Sequence, residues 1–271
     1  YFITTSDHNT SEQYYFKVYE EKPKPKLIKK RKRGILYSIN SWDDKFFNHT
    51  NEDAEDFKID ITESLEKQNW VPFVAAKDEV LIGGCLFLKN WIIRSETSNA
   101  LEKLFVKNIS SGIEEELIFS DEKVYVPNIS FRQKDKNTDE VYVGYSSPKT
   151  PSRAYLYNLS SKSKKLVKEQ KIPSGHNPSD YIVERFEFKS HDGRMVPLTI
   201  TRHKKTKMDG SAHLLLYGYG SYGNSISPNF SSTHLSLIDR DIIWATAHIR
   251  GGMEKGMRWW KEGKLTNKKN T

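Results

Sequence analysis

Over the first two thirds of the chain, apolar and polar positions alternate in paired short runs. One pair is Phe2-Ile3-Thr4-Thr5-Ser6 and, after a polar turn, Tyr14-Tyr15-Phe16-Lys17-Val18-Tyr19. The next pairs are Phe46-Phe47-Asn48-His49-Thr50 with Phe57-Lys58-Ile59, and Trp91-Ile92-Ile93-Arg94-Ser95 with Leu104-Phe105-Val106. The last is Val141-Tyr142-Val143-Gly144-Tyr145-Ser146 with Ala154-Tyr155-Leu156-Tyr157. Each reads as two strands joined by a loop rich in Ser, Thr and Asn. The pairs begin at residues 2, 46, 91 and 141, so they recur every 44–50 residues. That spacing suits four-stranded propeller blades, and an unrelated β-sandwich fits the periodicity too. Val80-Leu81-Ile82 and Val124-Tyr125-Val126 read as further strands between the pairs.

The pattern changes near residue 180. A lysine-rich stretch over 162–171 and the turn-forming run Pro173-Ser174-Gly175-His176-Asn177-Pro178 read as a linker. Tyr181-Ile182-Val183-Glu184-Arg185-Phe186-Glu187-Phe188 then alternates, turns at His191-Asp192-Gly193-Arg194 and returns through Val196-Pro197-Leu198-Thr199-Ile200 as a β-hairpin. Leu214-Leu215-Leu216 is a continuous apolar run of the kind found in a buried parallel strand. It leads into Tyr217-Gly218-Tyr219-Gly220-Ser221-Tyr222-Gly223, where glycine allows sharp turning and close backbone approach. A second strand is expected over residues 242–248, running on into Ile249-Arg250-Gly251-Gly252-Met253-Glu254-Lys255-Gly256.

Composition changes this picture only modestly. The net charge of +8 is compatible with a nucleic-acid or membrane-surface partner, yet 35 Asp and Glu are interspersed with 43 Lys and Arg. A solvated lysine-rich surface is the expectation, with neither nucleic acid nor membrane as partner. The basic run Lys22-Pro23-Lys24-Pro25-Lys26 with Lys29-Lys30-Arg31-Lys32-Arg33 lacks interleaved aromatics for base stacking and reads as a connector between repeats. The single cysteine, Cys85, lies in an apolar run; it suits a reducing, cytoplasmic setting and a small packed residue rather than a nucleophile. Asn48-His49-Thr50 and the other Asn-x-Ser/Thr matches are then statistical. No apolar run is long enough to span a bilayer as a helix. Tyr1 falls inside an expected strand and Thr271 just after a turn, so the sequence reads as an internal fragment of a longer protein.

The stretch 213–271 resembles the start of the catalytic domain of prolyl oligopeptidase-type serine peptidases, and within that family the oligopeptidase B (protease II) type. The resemblance rests on the Tyr-Gly-Tyr-Gly-Ser-Tyr-Gly loop at 217–223, Leu235-Ser236-Leu237 with Asp239-Arg240, and Arg250-Gly251-Gly252 with Glu254 and Gly256. Trp259, Gly263-Lys264 and Lys268-Lys269-Asn270-Thr271 extend it in the same order. It implies part of a β-propeller over 1–179 followed by the truncated start of an α/β-hydrolase domain over 180–271. The propeller would have further blades before Tyr1, and it would restrict access to short peptides.

The resemblance also assigns roles. Tyr219 would give its hydroxyl to the oxyanion hole, and Tyr222 would line the substrate pocket. Acyl transfer also needs a nucleophile, a base and an orienting acid. No Gly-x-Ser-x-Gly elbow occurs in the chain, and in this fold the Asp and His follow the Ser. None of the eight His residues is assigned a catalytic role. The chain alone is therefore expected to be inactive and poorly soluble, with no metal and no cofactor, and a complementing C-terminal chain is one conceivable partner. A propeller-type interaction module and a non-functional remnant of a split gene are the alternatives. Two departures from the family pattern stand out. Ser227 and Asn229 occupy positions where oligopeptidase B has acidic residues that hold basic substrate side chains, which weakens the expectation of cleavage after Arg or Lys. Met253 replaces a glycine, which would strain the turn if that position had a positive φ.

Overall fold

Each of the four strand pairs predicted over the first two thirds of the chain contributes to an antiparallel meander. In the computed structural model, which describes residues 1–130 and 135–271, two compact units are distinguished: Tyr1–Ile82 and Gly83–Thr271. The first unit holds β1 (Phe2–Ser6), β2 (Ser11–Tyr15) and β3 (Lys26–Leu27), followed by β4 (Tyr37–Trp42), β5 (Lys45–Thr50), β6 (Lys58–Thr62) and β7 (Val71–Val74). They form sheets of three and four strands in sequential order. Buried Gln13 ties the two sheets together: its side-chain oxygen accepts from the Ile39 amide at 2.6 Å, and its own amide donates to the Tyr37 hydroxyl at 2.8 Å. Ile28, Tyr37, Ile39 and Leu65 close the core around that link.

The basic run is more than a connector. Lys26 and Leu27 form β3, paired with Tyr15 and Tyr14. Lys29 pairs with Glu52 at 2.6 Å, and Lys26 with Glu66 at 3.6 Å. A two-residue strand leaves no periodic signal, so sequence alone could not show it.

β8 (Val80–Phe87) crosses the boundary between the units and joins β9 (Trp91–Ser98), β10 (Leu101–Asn108) and β11 (Glu114–Glu116) in a third meander. A fourth comprises β12 (Val126–Ile129), β13 (Glu140–Ser146), β14 (Arg153–Asn158) and β15 (Lys164–Glu169). Val124 and Tyr125, expected in a strand, precede β12. Ile93, Leu104 and Val106 pack with Val141, Val143 and Tyr145 in one apolar cluster between these two sheets. The lysine-rich stretch taken for a linker contains β15, exposed along its whole length at the sheet edge. Lysines there deter further strand pairing, which is why the composition resembled a linker. Cys85 sits on β8, where burial pushes its thiol up to about 12, leaving it protonated at neutral pH.

The expected hairpin follows as β16 (Tyr181–Lys189) and β17 (Met195–His203), in register from Tyr181–His203 to Lys189–Met195. β18 (Leu214–Gly218) and β19 (Ile243–Ala247) complete a sheet of order β16-β17-β19-β18. β18 and β19 are parallel, and β17 and β19 antiparallel. The leucine run is thus parallel as expected, but it is not buried: Leu214 is 52% and Leu216 62% exposed. β18 lies at the sheet edge, paired on one side only.

Between them lies α1 (Ser232–Ile238), whose N-cap Ser231 accepts from the His234 amide. It ends in a 6→1 bond from the Ile242 amide to the Leu237 carbonyl, with Asp241 at φ 63° reversing the chain. Leu235 and Ile238 of α1 bury against Tyr181. α2 (Gly256–Lys261) follows β19 and buries Met257, Trp259 and Trp260.

Candidate functional site

The loop after β18 is shaped by contacts that only glycine permits. A Cβ at Gly220 would lie 2.1 Å from the Arg250 carbonyl oxygen, and one at Gly251 would lie 2.0 Å from the Gly220 carbonyl oxygen. Residues 218–223 and 249–252 therefore cross with backbone against backbone. The Gly223 amide reinforces this crossing by donating to the Gly251 carbonyl at 2.9 Å.

Ser221 to Asn224 form a tight turn closed at 3.1 Å, with Tyr222 at φ 58° and Gly223 at φ 73°. Both central residues are left-handed, as a type I′ turn requires. An aromatic residue there carries backbone strain of about 1–2 kcal/mol. The side chain of Tyr222 is 74% exposed. Tyr219, the first residue after β18, is half-buried. Among the described residues its hydroxyl has no hydrogen-bond partner. Lys268 fixes the next peptide by donating to the Gly220 carbonyl and, at 2.9 Å, to the Ser221 hydroxyl.

Met253 does not strain its turn, because its φ is not positive. Its Cε occupies the space a Cβ on Gly223 would need, at 2.4 Å. Methionine here packs against the facing glycine turn.

Beneath the loop lies a layer of buried polar groups, of which sequence reading named Arg250 and Glu254 for the resemblance but gave them no role. Glu254 is fully buried; its Oε1 accepts from the Ile226 amide at 3.0 Å, while Oε2 has no hydrogen-bond partner among the described residues. Desolvation pushes its carboxyl up to about 7, against the opposing Ile226 bond. The Glu254 carbonyl accepts from the Ala100 amide at 2.8 Å. Ala100 sits in the β9–β10 turn, where it and Asn99 both have positive φ. Arg185 donates to the Asn99 carbonyl and to the Thr199 hydroxyl. The same loop meets β10 once more, where the Ser227 hydroxyl donates to Glu102 Oε1 at 3.4 Å.

His248 is also fully buried, its Nε2 2.8 Å from the Thr199 hydroxyl. Burial, followed by the nearby charge of Arg185, holds its imidazole down to about 4, so it is neutral. Arg250 pairs with Asp192, which this bond holds down to about 2. These groups fasten the hairpin tip at 190–194 and α2 to the loop. Among the described residues no group of three or more His, Cys, Asp and Glu is placed to hold a metal ion, and no helix is long and apolar enough to cross a membrane.

Tyr217, Ser227, Pro228, Asn229 and Trp244 line a cavity of about 50 Å3 beside β18. The structure thus brings Ser227 and Asn229 together with Tyr217. Tyr222 is not among the residues lining that cavity. The signal for the buried layer was partial: Glu254 lay in the Arg-Gly-Gly-Met-Glu run, but its partner Ala100 is more than 150 residues away.

Repeated four-stranded antiparallel sheets followed by this glycine-crossed loop define the class. Residues 1–170 match the model of the prolyl oligopeptidase N-terminal β-propeller domain, and the chain belongs to that family. It is 36% identical over 249 residues to dipeptidyl aminopeptidase BI of Pseudoxanthomonas mexicana, covering 90% of this chain and 34% of that protein. It is 28% identical to protease 2 of Moraxella lacunata, across 100% of this chain and 39% of the relative. Oligopeptidase B from Trypanosoma brucei, solved in its closed form with covalently bound antipain, superposes with a TM-score of 0.92 at 26% identity. That match covers 99% of this chain and 40% of the solved one. The chain thus spans about a third to two fifths of the length of these relatives.

Proposed function

We propose that the chain is the propeller (1–179) and the opening part of an α/β-hydrolase domain (180–271) of a cytoplasmic serine oligopeptidase acting on short peptides. In this reading Tyr219 donates to the oxyanion that develops during acyl transfer, and Tyr222 lines the approach to it. The observation that carries the proposal is the hydroxyl of half-buried Tyr219, free of partners among the described residues, on a loop held by the Gly220–Gly251 crossing and by Lys268. A donor fixed before the reaction needs no reorganisation when charge develops. The nucleophile, acid and base would come from polypeptide beyond this sequence, so the chain alone hydrolyses nothing. β18 supports that division, because its apolar, half-paired edge suits a further parallel strand. Cleavage after basic residues belongs to the same reading, although Ser227 and Asn229 carry no charge.

The test is Tyr219→Phe in the full-length protein that carries this chain, assayed on short peptides. We expect kcat to fall about 100- to 1000-fold with KM little changed. An unchanged kcat, or a full-length protein that cleaves no peptide, overturns the proposal.

A further inference from the structure

Glu102 on β10 is a carboxylate without a cation. It is half-buried, and its one hydrogen bond among the described residues comes from the Ser227 hydroxyl at 3.4 Å, beyond the usual range for two oxygens. Among the described residues no Lys or Arg pairs with it, although the chain carries 43 of them. Its neighbours on β10 differ: Lys103 is paired with Glu116 at 2.9 Å. Burial raises the Glu102 carboxyl above its ordinary range, with only Ser227 opposing, so no nearby positive charge offsets its desolvation. Leaving a half-buried carboxylate so poorly satisfied costs stability unless a ligand completes it.

Its position says which ligand. Ser227 also lines the cavity beside Tyr217 and Asn229, on the loop that follows Tyr219. The Glu254 bonds to the Ile226 and Ala100 amides hold that loop against the β9–β10 hairpin, so Glu102 and Ser227 face each other across a fixed junction. We infer that Glu102, contributed by the third β-meander, is the specificity-determining acid of the site and holds a cationic group of the bound peptide at Ser227. This rests on the peptidase reading above, and it deepens that reading by placing the negative charge on a strand of the propeller. The cation is an ammonium or guanidinium, from either a basic side chain or the peptide's own N-terminus.

The experiment is calorimetric titration of the full-length protein that carries this chain with three small probes: acetyl-alanyl-arginine amide, alanyl-alanine amide with a free N-terminus, and neutral acetyl-alanyl-alanine amide. We expect at least one charged probe to bind about 10- to 100-fold more tightly than the neutral one, as for a hydrogen bond to an ionised group. The charged probe that responds identifies the source of the cation. Glu102→Gln should abolish this preference while leaving the neutral probe unchanged. A thermal unfolding midpoint matching that of the native protein serves as the folding control for Glu102→Gln. The inference is overturned if Glu102→Gln keeps the preference, if it weakens all three probes equally, or if no probe binds. None of these outcomes touches the peptidase reading, which stands or falls on Tyr219→Phe and on hydrolysis by the full-length protein.

Discussion

Replacing Glu254 by glutamine should change how stability depends on pH, and the size of the change follows from its burial. The carboxyl is fully enclosed, and its proton affinity rises from an ordinary 4.5 to about 7. At about 1.4 kcal/mol per tenfold change in affinity, that rise corresponds to about 3 kcal/mol. Below pH 4.5 the group is protonated whether the chain is folded or unfolded, and it costs nothing. Between 4.5 and 7 only the folded chain keeps the proton, so stability falls as pH rises. Above 7 the full penalty applies. His248 works in the opposite direction. Its affinity drops from an ordinary 6.5 to about 4, so its contribution is present above 6.5 and is lost as pH falls towards 4. Over the shared window the two effects offset each other in the native chain.

Glu254→Gln keeps an oxygen for the Ile226 amide, removes the titration and leaves His248 in place. Its amide nitrogen would replace an oxygen that already lacks a partner, a pH-independent cost of about 1–3 kcal/mol. Urea unfolding at pH 4.5 to 8 measures the stability of the variant minus that of the native chain. We expect this difference to rise by about 3 kcal/mol across the range. The variant, lacking the offset, should also lose stability more steeply below pH 6.5. A difference that stays flat with pH would refute the reasoning, because Glu254 would then bind its proton equally well in the folded and the unfolded chain.

Two further predictions concern packing. Arg94 is buried and pairs with Glu96 at 2.7 Å and with Glu114, so Arg94→Met should cost about 3–5 kcal/mol by taking the compensating charge from a buried carboxylate. Adding Glu96→Met should recover most of that loss in the same unfolding assay, and failure to do so would show that the charge pair is not the cause. Gly251→Ala combines φ 100° with a Cβ 2.0 Å from a backbone oxygen, whereas Gly210→Ala, at φ 88°, meets open space. The first should cost about 2–5 kcal/mol and the second about 1–2, and equal losses in thermal unfolding would argue against the backbone crossing.

The period-2 alternation of Val141-Tyr142-Val143 was enough to place β13, because side-chain direction in a strand is a local property. Gly220 likewise marked a loop able to turn sharply, although only the tertiary structure shows that it meets the backbone at 250–251. Strands without that signature escaped: β3 has two residues, and β15 reads as lysine-rich linker. The leucines of β18 carried the signature of burial yet lie at an edge, since pairing on the second side depends on which other strand is present. The tertiary structure alone decided which polar groups lose water. Glu254 meets the Ala100 amide and Glu102 meets Ser227 across more than a hundred residues. Desolvation is set by everything packed around a group, so the spacing of its own segment could not reveal it.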